Sequence, residues 1–363
     1  MQHADFLLRC VSLATTRLGF CAPNPSVGCV VVKNNQIIAE GFHFGCGHVH
    51  AEVDALNKLH NDEARGATVY VSLEPCCHYG RTPPCTERIK IAGIKNVFFG
   101  FKDPNPIVAG KGRAALIEAG IACEFIELPE INHFYAAYAY WTHTKMPFVT
   151  AKLAMSSDHK IALENKKPAR ITGEACGLLT HQYRKESDAL LTTIETVIHD
   201  DPKLNVRLDN VEIQKPLYIL DTHCRLPLAS NIFQTAQSLI VFHSKKADAN
   251  TISALEKNKV RCVAIEENKF GLNLNDVLQK IGLDGVQQLW IEAGAKCFNA
   301  FLNQQLLHRA IMYISPTALG ESALPGNVDF DALKKHAKNQ QKSTVGNDTV
   351  YFFDLKQHQL NAY

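Results

Sequence analysis

No apolar run in this chain approaches the ~20 residues that a bilayer-crossing helix needs. The longest stretches, such as CVVV and SLIVF, have the length of core strands, which argues against a membrane protein. No secretory pattern is expected at the start either: MQHADFLLRC carries charge within its first ten residues and opens no long apolar segment. Charge of one sign is also absent. Lys plus Arg number 38 against 36 for Asp plus Glu, a formal +2, so no sequence-wide attraction to nucleic acid or membrane is implied. A local basic pocket for one small anion stays compatible with that balance. The 12 cysteines are scattered singly except around position 76, without the spacing of a disulfide scaffold, and read as reduced thiols. These absences leave a cytoplasmic α/β protein with no nucleic-acid or membrane partner, long enough at 363 residues for two domains.

Apolar positions Phe6, Leu7, Cys10, Val11, Ala14 and Leu18 recur at helical spacing, and PNPSVG ends that helix. VGCVVV and IIAEGFH then read as a hairpin turning at Asn34–Asn35. Helices fit HAEVDALNKL, CTERIKIAG, GRAALIEAG and EINHFYAAYAYWTHTK, with strands at ATVYVSL, NVFFGFK and IACEFIE. The spacing of Phe134, Tyr138 and Trp141 predicts a helix packing face. Domains 1–145 and 146–363 are expected, with the break near Lys145–Pro147. The second part offers strands at FVTAKLAMS, ALLTT, PLYILD, SLIVFHS, VRCVAIE, QQLWIEAG, RAIMYISP and TVYFFDL. Helices fit EACGLLTHQYR and AKCFNAFLNQQLL, whereas ENKKPA and HAKNQQKSTVGND are polar and loop-like. No internal repeat relates the halves, and alternating strands and helices predict helix-covered sheets.

The densest chemistry lies at EPCCHYGRTPPC, residues 74–85. A catalytic zinc takes three protein ligands and keeps one position open. Zinc deaminases carry H-x-E, then P-C and a further cysteine, and the Glu shuttles protons rather than binding the ion. His50-Ala51-Glu52 and Pro75-Cys76 fit that pattern. Neighbouring residues diverge around a backbone, so Cys76 and Cys77 do not readily chelate one ion; Cys85 therefore joins one of the pair, and Cys76 follows the proline. His50, Cys76 and Cys85 are the expected zinc ligands, with Glu52 catalytic. A closed structural knot, with Cys46, His48, Cys77 or His78 as fourth ligand, is the alternative.

With APNPSVG, GFHFGCGHVHAE, SLEPCCHYGRTPPC and FKDPNPIVAGKG in order, the first half resembles the deaminase domain of the bifunctional riboflavin-biosynthesis deaminase/reductase family. AKLAMSSD, ARIT, HQYRKESDALLTTIETVIHDDPKLNVR, ILDT and IEAGAKCFNAFL extend the resemblance over the second half. It implies an N-terminal cytidine-deaminase-like α/β/α sandwich and a C-terminal dihydrofolate-reductase-like α/β domain. It further implies zinc and NADPH as cofactors, a phosphorylated pyrimidine as substrate, and a homo-oligomer. Asn24, His43, His78 and Arg81 would hold the substrate in the first domain. In the second, Pro168, Arg184, Leu204, Arg207 and Glu292 would surround it, the arginines suited to its phosphate. Ala154, Arg170, Thr196, Asp200, Thr222 and Gly294 would line the NADPH, the last at a strand-to-helix turn whose N–H groups can face a phosphate. Lys152 and Asp200 are the candidates for assisting hydride transfer.

The chain departs from the family pattern at His159, where a glycine is usual, at Pro168 and Arg170 in ENKKPARIT, and at Asn205. These positions bear on the reductase, and an active deaminase beside an impaired reductase is one reading they permit. A zinc-stabilised binding protein without catalysis is another.

Overall fold

Alternation along Cys29, Val30, Val31 and Val32 sends side chains to opposite faces of one strand, and the first half of the molecule is layered about that strand. The structure, a computed structural model, describes residues 2–60, 62–80, 83–164 and 171–355. Arg81, Pro168, Arg170 and most of ENKKPA lie outside the described residues. The chain divides into two units, Met1–Lys145 and Met146–Tyr363.

In the first unit, helix α1 (His3–Thr15) buries Phe6, Leu7, Cys10 and Ala14, the face its spacing predicted. Strand β1 (Gly28–Lys33) turns through Asn34 and Asn35, both at positive φ, into β2 (Gln36–Phe42). Then follow α2 (Ala51–Asn57), β3 (Thr68–Val71), α3 (Cys85–Ile91), β4 (Asn96–Phe99), α4 (Lys111–Glu118), β5 (Ala122–Phe125) and α5 (Pro129–Thr144). The sheet order is β2-β1-β3-β4-β5, with β3, β4 and β5 parallel. Cys29 and Val31 pack with Ala55, Leu56, Ile89 and Leu116 of α2, α3 and α4. Val30 and Val32 pack with Phe6, Leu7, Tyr135 and Tyr138 of α1 and α5, and Phe134 and Trp141 join that core. The result is an α/β/α sandwich.

The second unit opens with β6 (Phe148–Met155), β7 (Lys160–Ala162), α6 (Glu174–Glu186), β8 (Ala189–Thr193) and α7 (Ile194–Asp200). A small hairpin, β9 (Val206–Leu208) and β10 (Val211–Ile213), precedes β11 (Pro216–Leu220), α8 (Ile232–Thr235), β12 (Ser238–Ser244), α9 (Ala249–Lys257) and β13 (Arg261–Ile265). The two-residue strands β14 (Glu267–Asn268) and β15 (Gly271–Leu272) lead to α10 (Leu274–Leu283), β16 (Gln288–Glu292) and α11 (Ala295–Asn303). Finally come β17 (Arg309–Ile314), β18 (Leu324–Pro325), α12 (Phe330–His336), β19 (Ala337–Val345) and β20 (Asp348–Leu355).

Nine strands form one sheet in the order β13-β12-β11-β8-β16-β6-β17-β20-β19. All pairs from β13 to β17 are parallel; β20 alone runs against them, and the edge strand β19, antiparallel to β20, returns to their direction. Separate cores fill its two faces, one including Val277, Phe298 and Leu333, the other Cys176, Val197 and Trp290. HAKNQQKSTVGND is not a loop: most of it is the edge strand β19 and its turn into β20. Lys338 to Thr344 are exposed throughout. A strand wetted on both faces carries no apolar alternation, which is why the sequence pattern hid it. Among the described residues, no helix is long and apolar enough to cross a membrane.

Candidate active sites

His50 stands immediately before α2 in extended backbone, and Glu52 lies in that helix's first turn. Cys85 begins α3 after Pro84, and Cys76 sits in the loop that follows β3. These local structures bring one ring nitrogen and two sulfurs within 4.8 Å of one another. His50 Nδ1 is 3.2 Å from Cys85 Sγ and 3.5 Å from Cys76 Sγ. An imidazole and two thiols in this arrangement match the donor set of a catalytic zinc. Cys46, His48, Cys77 and His78 do not enter that cluster among the described residues, so the closed four-ligand knot is not formed by them.

Glu52 is almost fully buried, and burial, followed by the charge of Cys76, pushes its carboxyl up to about 6. Hydrogen bonds from Cys85 and His50 hold the Cys76 thiol far below its ordinary range. Beside the cluster, His43 crosses the His50 ring edge-on at 5.3 Å. His43 Nδ1 donates to the Val49 carbonyl at 3.0 Å, which leaves Nε2 to accept from Asn24 Nδ2 at 3.1 Å. Asn24 and His43 are thus joined to each other, next to His50. His78 is half-buried, and its Nδ1 has no hydrogen-bond partner among the described residues.

Two further carboxylates support the loops of this unit. Glu74 accepts from the Gly110 and Arg113 N–H groups at 3.0 and 3.1 Å, tying the loop before Cys76 to the start of α4. Asp103 accepts from Tyr138 at 3.1 Å and Asn105 N at 2.9 Å, and burial pushes it up to about 6. The E-P-C and K-D-P-N motifs contain both, but only the folded loops give them partners.

In the second unit the parallel strands end together at one edge of the sheet, where open α/β sheets collect ligands. A cavity of about 970 Å³ lies there, large enough for a dinucleotide-sized ligand. Lys152 and Ala154 from β6 and Glu292 and Gly294 from the end of β16 line it. Thr196 and Asp200 of α7, with Arg184, Leu204 and Thr222, complete the group of expected residues on its wall. Arg207 is not on the wall; its N–H donates to His181 Nδ1 at 3.1 Å and its guanidinium meets Asn205 Oδ1. A Cβ added at Gly294 would meet nothing within 4 Å, so open room adjoins the first turn of α11. That room and the cavity volume fit a phosphate-bearing cofactor.

Glu292 and Lys152 are register partners on neighbouring strands. Cys176, Thr180 and Arg184 recur every four residues along α6 and form its buried stripe. Arg184 reaches both carboxylate oxygens of Glu292, with NH2 at 2.8 Å from Oε2, and its NH1 donates to the Asn205 carbonyl at 2.8 Å. The fork holds Glu292 ionised, down to about 2, against the opposing effect of burial. Lys152 Nζ lies 4.0 Å from Glu292 Oε2, and burial lowers the lysine from its usual range. Arg184 therefore spends its guanidinium on Glu292 and Asn205. Asp200, at the end of α7, is raised by burial. His159 adopts φ 59 and sets its ring edge-on to Phe330 at 5.5 Å, while its carbonyl accepts from Gly326 N. Asn205 is buried within the Arg184–Arg207 network.

Comparison with known proteins adds an independent line. Residues 1–101 match the family model of the cytidine and deoxycytidylate deaminase zinc-binding region, and residues 147–351 match that of the RibD C-terminal domain. Riboflavin biosynthesis protein RibD of Actinobacillus pleuropneumoniae is 35% identical over 358 residues, covering 96% of this chain and 94% of its own. The Escherichia coli K12 protein is 33% identical, covering 90% and 92%. Acinetobacter baumannii RibD superposes with a TM-score of 0.87 at 35% identity, over 98% of this chain and 99% of that one. A diaminohydroxyphosphoribosylaminopyrimidine deaminase/5-amino-6-(5-phosphoribosylamino)uracil reductase from Thermotoga maritima gives 0.84 at 30% identity, over 98% and 99%. The chain belongs to the RibD family of riboflavin biosynthesis proteins, bifunctional enzymes that join a zinc-dependent deaminase to an NADPH-dependent reductase.

Proposed function

We propose that the first unit hydrolytically deaminates 2,5-diamino-6-ribosylamino-4(3H)-pyrimidinone 5′-phosphate. The second unit then reduces the ribosyl chain of the product to ribityl. The observation that carries the first step is the donor cluster of His50, Cys76 and Cys85 with buried Glu52 beside it. Zinc in such a site supplies activated water at neutral pH. With zinc held by His50, Cys76 and Cys85, the buried Glu52 carboxyl beside them would be placed to carry a proton to a ring nitrogen and to assist ammonia departure. The linked Asn24 and His43 orient the pyrimidine, together with His78 and Arg81.

For the reduction, NADPH supplies hydride, and the lining at Ala154, Thr196, Thr222 and Gly294 supports its placement in the cavity. Arg170 would join them, and Pro168 and Leu204 would face the substrate, whereas Arg207, off the cavity wall, would act on that side only through Asn205. Lys152 and Asp200 supply polar assistance at the reacting carbon, with Glu292 ionised by Arg184 beside the lysine. The reading includes a cytoplasmic location, which the free thiols support. It also includes self-association, which light scattering on the purified chain checks.

The test follows ammonia release and NADPH oxidation together on the diaminopyrimidine phosphate. Both signals are expected from the native chain. Glu52→Gln should abolish ammonia release yet still consume NADPH when deaminated intermediate is supplied. Ammonia without NADPH loss would limit the chain to a deaminase, and neither signal would overturn the enzymatic reading.

A further inference from the structure

Arg184 is not the only donor on Glu292. Nε1 of Trp290 donates to Oε1 at 2.7 Å, the same oxygen that Arg184 Nε reaches. Trp290 precedes Glu292 by two positions on β16, so both side chains leave the same face of the sheet. Its ring is fully buried and stacked on Tyr183 of α6, with centroids 4.9 Å apart and planes 4° from parallel. A ring clamped in that way has one direction in which to aim its N–H.

The carboxylate is therefore drawn toward Arg184 and Trp290, away from the lysine. Its Oε2 stays 4.0 Å from Lys152 Nζ, too far for a hydrogen bond. The ammonium rests instead over the Tyr313 ring at 5.5 Å, on the wall of the cavity. Without the indole N–H the carboxylate, held by the Arg184 fork alone, would pivot toward the opposite charge, close that gap and occupy the lysine's donors. We infer that Trp290 is a positioning residue of the reductase: its indole N–H restrains Glu292 from closing on Lys152 and so leaves the ammonium able to donate to the substrate. The inference rests on the role proposed above for Lys152 and Glu292.

The test uses the full chain with NADPH and the deaminated intermediate. Trp290→Phe keeps an aromatic ring for Tyr183 and removes the N–H. It should lower the reductase kcat about tenfold, a change of ~1.4 kcal/mol, with KM for NADPH and ammonia release unchanged. The groups facing Lys152 are Glu292 on β16, Arg184 and Cys176 on α6, and Tyr313 on β17. Of these only Glu292 moves nearer in the variant, so the alkaline limb of the kcat profile should shift to higher pH. A purely structural role for Trp290 would not move that limb.

Should Trp290→Phe fold poorly, the benzothiophene analogue of tryptophan, with sulfur in place of N–H, keeps the shape in a Trp141→Phe background and must give the same two changes. Unaltered kcat and alkaline limb, alongside a reductase inactivated by Glu292→Gln, would overturn the inference and leave the lysine–glutamate reading standing. Full turnover by Glu292→Gln would overturn that reading and this inference with it.

Discussion

Arg184 shows how a single side chain can be bound to one site by geometry that its neighbours impose. The guanidinium is largely buried, forks onto Glu292 and caps the Asn205 carbonyl. Removing only the cation strands an ionised carboxylate in a low-dielectric setting, which costs ~3–5 kcal/mol in comparable buried pairs. Arg184→Met should therefore lower the stability of the second unit by about 3 kcal/mol in urea melts. Arg184→Met combined with Glu292→Leu should recover part of that loss, because the buried carboxylate is removed along with its partner, while the Lys152 ammonium loses its counter-charge. At this scale the grouping of His50, Cys76 and Cys85 with Glu52 was legible, since H-A-E and E-P-C fix residue types at fixed offsets. The Trp290–Glu292–Arg184 assembly was not. Its members meet through a strand ladder and a helix stripe, and the stripe of Cys176, Thr180 and Arg184 has too little apolar character for periodicity to reveal it. The resemblance set Arg184 beside the substrate phosphate; in the fold its Nε and NH2 donate to Glu292 and its NH1 to the Asn205 carbonyl.

Helix α4 has no residue in the His50–Cys76–Cys85 cluster, yet it sets where one of the two thiols stands. A Cβ on Gly112 would fall 1.9 Å from the Pro75 carbonyl oxygen, immediately before Cys76, and 3.4 Å from Glu74 Oε1. Both contacts involve the loop that Glu74 ties to the start of α4. Gly112→Ala should push that loop outward. Metal analysis after gel filtration should find reduced zinc, and ammonia release should fall at least tenfold, with NADPH oxidation intact when the intermediate is supplied. Strands such as β8, β12 and β16 were visible as short apolar runs because both of their faces are covered. The edge strand β19 was invisible for the opposite reason, since water on its faces leaves no pattern to read, and the three-residue strands β9 and β10 are too short to show one.

Over the whole molecule, folding places some titratable groups where water cannot reach them. His308, at the start of the segment leading into β17, is buried, accepts from Val149 N at 3.0 Å, and is held neutral down to about 3. Its folded pKa lies below the unfolded value of 6.5, so its neutral form contributes full stability above pH 6.5 and loses it as pH falls. The slope is at most ~1.4 kcal/mol per pH unit, or ~2 kcal/mol at pH 5. Thermal melts between pH 7 and 5 should fall accordingly, and His308→Gln should flatten the decline. The parallel order of the large sheet has a consequence for synthesis too. Arg184 and Glu292 are 108 positions apart, and at ~5–20 residues per second the ribosome needs roughly 5–20 s to deliver the carboxylate after the arginine. During that interval β6 has left the tunnel without β16 or β17, its two partners in the finished sheet. The first unit, complete by Lys145, can fold while the apolar centre of the second still waits for its neighbours, which makes the nascent second half the natural client of a chaperone.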